Sequence, residues 1–256
     1  MLVLISPAKN LDFETKIESN PLTTSSLIDE SHEIMRELAK LKPADLGKLM
    51  KISPKLADLN FERNQDWSFP FDKQKSKQAA FAFNGEVYNG LALSTFSEQE
   101  LNYAQGNLRI LSGLYGLLRP LDEILPYRLE MGTRFSVNEQ HKNLYSFWGS
   151  SLTEKVNQLG VEQNATTLVN LASTEYFKAI KPKELALKLV TPVFKEFKNG
   201  NYKVIMMYAK KARGMMAAYI LKNEITTEDK LKAFDAEGYL YNDELSNCND
   251  WVFTRG

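Results

Sequence analysis

The chain begins with continuous rather than alternating apolar character: Leu2-Val3-Leu4-Ile5 is halted by Ser6-Pro7, the pattern of a strand buried on both faces, with Lys9 just past its end. Beyond a polar loop, Leu27, Ile28, Ile34, Met35, Leu38 and Leu41 recur three and four apart, which predicts a helix capped within 23–26 and running to about 41. Pro43 marks a break and a new helix start. Short strands are predicted at 78–83 and 108–111, with a helix over 98–105 between them capped by Ser97. Gly113, Gly116, Pro120 and Pro126 make the stretch to Gly132 irregular. A helix over about 147–159 leads to an apolar strand at 167–172, and Pro182 opens a helical turn. Segments 190–197 and 202–208 read as a hairpin turning at Asn199-Gly200, and aromatic strands at 238–241 and 251–253 close the chain. Crossover and hairpin connections together predict a single α/β domain of mixed α+β type, its mixed sheet covered by helices.

Composition narrows the functional classes. The 256 residues are 43% hydrophobic, enough for one large core, and no repeat or linker divides them. Basic and acidic residues balance at 32 each, so no net field draws the chain to nucleic acid or membrane, and any polyanion site must be a local patch. The N-terminus has no positive leader region and its apolar run is too short to span a bilayer, so a cytoplasmic protein without membrane association is expected. Cys248 is the sole cysteine, which excludes an intrachain disulfide, and its acidic surroundings disfavour a thiolate. His32 and His141 lie far apart with no ligand-spaced partners, so no metal site and no cofactor is expected. Walker, GxSxG and GxGxxG patterns are absent.

Cations at element ends supply the candidate chemistry. An apolar stretch at 204–207 precedes Tyr208-Ala209-Lys210-Lys211-Ala212-Arg213-Gly214, which opens a helical pattern. Lys210, Lys211 and Arg213 then oppose the positive end of the helix dipole, and a bound anion is the simplest compensation. Between 108 and 134 the chain uses Arg109, Arg119, Arg128 and Arg134 and no lysine, a choice suited to planar recognition of phosphate or carboxylate. Pairing with Asp122, Glu123 and Glu130 is the internal alternative. Past the strand ending near Ala172, Ser173 or Thr174 caps a helix start carrying Glu175, Tyr176 and Lys178, with Lys181 and Lys183 beyond. Glu175 and Tyr176, with Ser6 and Lys9, are candidate catalytic residues of a strand-end pocket. The excursion over 43–67 has the apolar spacing of a helix-hairpin-helix at Leu46, Leu49, Ile52 and Ala57, but Lys51 and Ser53 stand where the motif's hairpin glycines are expected. Lys48, Lys51 and Lys55 are then its candidate contacts to a DNA backbone.

Long motifs in these same segments, Leu4-Ile-Ser-Pro-Ala-Lys9, Leu111-Ser-Gly-Leu-Tyr-Gly-Leu-Leu-Arg-Pro120, Tyr127-Arg-Leu-Glu-Met-Gly132, Asn170-Leu-Ala-Ser173, Glu175-Tyr-Phe-Lys178 and Tyr208-Ala-Lys-Lys-Ala-Arg-Gly214, resemble the bacterial YaaA family over nearly the whole chain. The resemblance implies a cytoplasmic protein of the peroxide stress response that limits free iron and oxidative DNA damage. It also implies one mixed α/β fold, a positively charged DNA-binding cleft and a helix-hairpin-helix. Carried over by position, the nucleic-acid-binding candidates are Lys9, Arg109, Lys178, Lys181, Lys210, Lys211 and Arg213, with Lys48, Lys51 and Lys55 at the hairpin. The expected partner is duplex DNA gripped through its backbone with little base discrimination, and no obligate protein partner. The competing class is an enzyme acting on a phosphate-bearing nucleotide or damaged nucleic acid at Ser6, Lys9, Glu175 and Tyr176. Iron binding by the chain itself is disfavoured by its ligand inventory.

Overall fold

A computed structural model describes residues 1–15, 17 and 21–256. Its centre is β1 (Leu2–Ile5), every residue of which is buried, as the apolar run requires. β1 pairs in parallel with β2 (Leu108–Ser112) on one side and β4 (Thr167–Leu171) on the other, so both of its faces need cover. β3 (Gly116–Leu118) returns antiparallel on β2. β5 (Lys188–Lys198) runs parallel to β4 and alternates inward residues, Val190, Pro192 and Phe194, with more exposed ones. β6 (Asn201–Lys203) folds back on β5, and both turn residues, Asn199 at φ 54° and Gly200 at φ 76°, take the positive φ that a tight hairpin demands. β7 (Leu240–Tyr241) and β8 (Asp250–Arg255) complete an eight-stranded sheet in the order β7-β8-β5-β4-β1-β2-β3, with β6 attached to β5. The expected mixed sheet in one α/β domain is thus observed.

Helices cover it, with four differences from the predicted elements and one helix, Glu86–Leu91, that the periodicity does not predict. The helix α1 (Ile28–Leu38) is shorter at both ends than expected. Residues 78–83 are mostly helical, Ala79–Ala82, with Ala79, Ala80 and Ala82 buried, in keeping with the high helix propensity of alanine. The helix predicted over 147–159 is two, Leu144–Trp148 and a later one over Ser151–Glu162, divided at Gly149, whose φ of 51° stops the first. The second strand of the hairpin ends at Lys203, and the long C-terminal helix, Met206–Lys222, starts two residues before Tyr208. In contrast, the helix over Glu98–Asn107 has the expected Ser97 cap, made reciprocal by the Glu100 carboxylate.

The excursion is α2 (Pro43–Met50) and α3 (Pro54–Asp66), joined by Lys51-Ile52-Ser53. Lys51 takes the left-handed conformation at φ 54°, and Ser53 caps α3 by accepting a hydrogen bond from the Leu56 amide. A Cβ on Gly47 would sit 3.7 Å from that of Ala57, ordinary contact, so the two small residues allow the helices to close on each other. Further along the chain come α4 (Glu86–Leu91), α5 (Glu98–Asn107), α6 (Ser151–Glu162), α7 (Thr174–Phe177) and α8 (Met206–Lys222).

Candidate functional site

A cavity of about 580 Å³ opens at the carboxyl ends of β1 and β4, the edge of a parallel sheet where ligand sites form most readily. Ser6 follows β1 and Ser173 follows β4; the Ser173 amide donates to Ser6 Oγ at 2.8 Å, which ties the two strand ends together. Tyr88, buried on α4, donates its hydroxyl to the Ser6 carbonyl oxygen at 3.1 Å. Tyr127 shares a 2.7 Å hydrogen bond with Ser112 at the end of β2. Burial raises the phenol pKa values of Tyr88, Tyr127 and Tyr176, so the cavity floor keeps three neutral hydroxyls.

Four cations, Lys9, Arg128, Lys210 and Arg213, line the cavity beside three carboxylates, Glu86, Glu130 and Glu175. On one side Glu130 is shared by Lys9 at 2.9 Å and Arg128 at 3.0 Å. On the other, Lys210 and Arg213 project from α8. Their placement depends on backbone contact between α8 and α4. A Cβ on Gly214 would fall 1.9 Å from the Val87 carbonyl oxygen, and one on Gly90 would fall 2.1 Å from that of Lys211. Only glycine fits at either position. Burial lowers the Arg213 pKa, and no carboxylate or other hydrogen-bond partner meets its guanidinium among the described residues. A desolvated, unpaired cation is unfavourable, which leaves the cavity able to gain from an anion.

Of the expected site residues, Ser6, Lys9, Glu175, Tyr176, Lys210 and Arg213 line this cavity together. The others do not. Arg109, on the amino half of β2, is buried and donates to the Gln105 and Leu108 carbonyls at 3.0 and 2.7 Å. It borders a separate cavity of about 220 Å³ with Asp122 and Glu162, and burial lowers its pKa to about 10. Lys178 stacks over the Tyr145 ring at 5.0 Å, and Lys181 donates to Ser150 Oγ at 2.7 Å and pairs with Glu184 at 3.4 Å. Lys211 faces away and pairs with Glu237, which also holds Arg255. Lys48, Lys51 and Lys55 are exposed on the α2–α3 hairpin, outside the cavity lining. Because α8 begins at Met206, the basic run sits in its second and third turns, so helix-dipole compensation is not what makes these cations notable.

Internal pairing accounts for Arg119, held by Asp122 at 2.8 Å, and in part for Arg128. Glu175 accepts the Gly132 amide at 2.9 Å, and the Ser6 hydroxyl oxygen is engaged by Ser173. No base touches Ser6 among the described residues, so the serine lacks the partner that activates a nucleophile. Tyr88 and Gly90 carry no mark in the sequence, and Gly214 stands out there only as a glycine inside a helical pattern. No group of three or more His, Cys, Asp or Glu stands together as a metal-binding set among the described residues, and no described helix is long and apolar enough to cross a membrane.

These features define a mixed α/β protein with a basic-edged, nucleotide-sized cavity at the carboxyl ends of its central strands. The chain belongs to the family described as "Peroxide stress protein YaaA", which it matches over residues 1–245. It is 51% identical over 255 residues to a "UPF0246 protein" of Teredinibacter turnerae, covering 100% of this chain and 99% of that one. Relatives of the same description from Saccharophagus degradans and Aliivibrio fischeri are 50% and 51% identical, over 99% and 98% of their lengths.

Proposed function

We propose that this protein acts in the peroxide stress response by binding DNA through phosphate groups, largely without reading bases, and so limits iron-dependent oxidative damage. The observation that carries the reading is Arg213: a desolvated guanidinium, unpaired among the described residues, opening with Lys210 into a strand-end cavity. Arginine in such a setting suits bidentate contact with a phosphate, and neutral Tyr88, Tyr127 and Tyr176 add no opposing charge. The volume of about 580 Å³ suits a nucleotide unit and not a whole duplex, so a single strand or a displaced nucleotide is what enters. The α2–α3 hairpin, with Lys48, Lys51 and Lys55 exposed, serves in this reading as an outlying helix-hairpin-helix contact to the backbone, by charge in place of the glycine amides.

The test is an anisotropy titration of labelled oligonucleotide at several salt concentrations. Replacing Lys210 and Arg213 by Gln weakens binding and flattens the slope of log affinity against log salt by ~0.7 for each lost phosphate contact on a single strand. Lys211→Gln, which removes only the partner of Glu237, leaves both unchanged. Unaltered affinity and slope in the double variant overturn the reading.

A further inference from the structure

The β5–β6 hairpin extends beyond the strand ends at which the first cavity opens, and strand register places it there. Val190 of β5 lies beside Val169 of β4, so β5 passes the end of β4 near Pro192 and runs on to Lys198, roughly 20 Å further. β8 occupies one edge of β5 as far as Glu196, and the partner of Glu196 on the other edge is Lys203 of β6. β6 therefore continues the edge that β4 leaves, beyond the strand end whose Leu171 and Ser173 line the cavity. From β6 the chain passes through Val204 and Ile205 into Met206, which lines the same cavity on one helical face with Lys210 and Arg213.

The hairpin exposes rings and cations together. Phe197 and Tyr202 are cross-strand partners, so their rings share one face, with centroids 5.2 Å apart, and they are 52% and 37% exposed. Lys195 stands two residues from Phe197 on that face, while Lys198 and Lys203 flank the ring pair on long flexible stems. None of the three lysines forms an ion pair among the described residues. Glu196 is the one carboxylate between 195 and 204, and it is held by Arg255 at 3.0 Å and by the Tyr239 hydroxyl. Arg255 in turn pairs with Glu237 at 3.1 Å and lies over the Tyr208 ring at 5.2 Å, which ties the base of the hairpin to α8.

This combination selects its occupant. An apolar protein surface would cover the rings but strip water from lysines that it could not pair. A nucleic-acid strand supplies a π-face for each ring and a phosphate for each lysine. We infer that the β5–β6 hairpin is a stacking arm for a single strand: with one phosphate at Lys210 and Arg213, the strand continues along the hairpin and stacks its bases on Phe197 and Tyr202. The inference rests on the proposed reading of the Arg213 cavity and deepens it, giving the protein a preference for base-bearing strands longer than the cavity holds.

Anisotropy titrations with an oligothymidylate and with an abasic strand of equal length separate stacking from charge. The intact protein binds the base-bearing strand about tenfold or more tighter, the scale of one or two stacked bases. Phe197→Leu with Tyr202→Leu, which keeps apolar bulk and removes the rings, abolishes that ratio and leaves affinity for the abasic strand unchanged. Tyr202→Phe retains the ratio. Lys210→Gln with Arg213→Gln weakens binding of both strands alike and also retains it. An intact protein that binds both strands equally, or neither, overturns the arm, as does a ratio that survives the double leucine variant. If that survival comes with a fall in sedimenting mass, the rings serve self-association instead. A ratio lost in the leucine variant, beside unchanged affinities in the Lys210 and Arg213 variant, supports the arm and counts against the Arg213 cavity.

Discussion

Gly90 and Gly214 mark a crossing at which the backbones of α4 and α8 touch, each glycine facing a carbonyl of the opposite helix at a distance no Cβ tolerates. This crossing sets where Arg213 and Lys210 point, so packing and site share one cause. Gly214→Ala or Gly90→Ala gains about 1 kcal/mol of helix propensity but forces the helices apart. Overpacking of this kind costs about 1–3 kcal/mol and more where backbone is struck. Urea denaturation will show lower stability in each variant, and oligonucleotide binding will fall in whatever fraction remains folded.

Gly47→Ala is the contrasting case. Its Cβ would meet Ala57 and the Ile52 carbonyl oxygen at 3.7 Å, within normal contact, in a helix interior where glycine is a poor choice. Stability rises by up to about 1 kcal/mol. A thermal midpoint lower than that of the parent would show that the α2–α3 contact is tighter than described.

Of the three carboxylates that line the first cavity, Glu86, Glu130 and Glu175, it is Glu130 that pairs with cations and so competes with the ligand. Glu130→Gln frees Lys9 and Arg128 and raises the charge of the wall by one. Oligonucleotide affinity at low salt should increase about fivefold, equivalent to about 1 kcal/mol for a partly exposed charge pair, with a steeper salt dependence. A decrease would mean that Glu130 positions the two cations more than it neutralises them.

Buried phenols predict alkaline sensitivity. Desolvation raises the pKa values of Tyr88, Tyr115, Tyr127 and Tyr176 above the ordinary value of 10.0. The folded state therefore favours the neutral form, and the stability it confers is fully present below pH 10. It is lost as pH climbs from there toward the folded-state values, since the unfolded chain releases these protons first. Phenolate absorbance should titrate in two stages, exposed tyrosines followed by a cooperative step that coincides with loss of tertiary circular dichroism. A single smooth titration with the fold intact would contradict the burial of this set.

Ser53→Ala tests the hairpin. Its hydroxyl accepts the Leu56 amide at 3.4 Å, so removal costs about 1 kcal/mol and loosens the start of α3. If the hairpin supplies outlying backbone contacts, affinity for long duplexes falls further than affinity for short single strands. Equal loss on both would assign Ser53 to stability alone.

Much of the frame was written locally. The unbroken apolar run of β1 forces burial on both faces, Asn199-Gly200 supplies the positive φ that turns β5 into β6, and the Ser97–Glu100 box starts α5; each needs only neighbours in sequence. What local pattern could not express is convergence. Arg109 and Arg213 look alike along the chain, yet strand register seals one against backbone carbonyls and the glycine crossing turns the other into a cavity. Charge is a property of a residue, but whether that charge is paired, desolvated or aimed at an opening is fixed by distances through space. Those distances are set by the sheet order and by the close approach of α4 to α8.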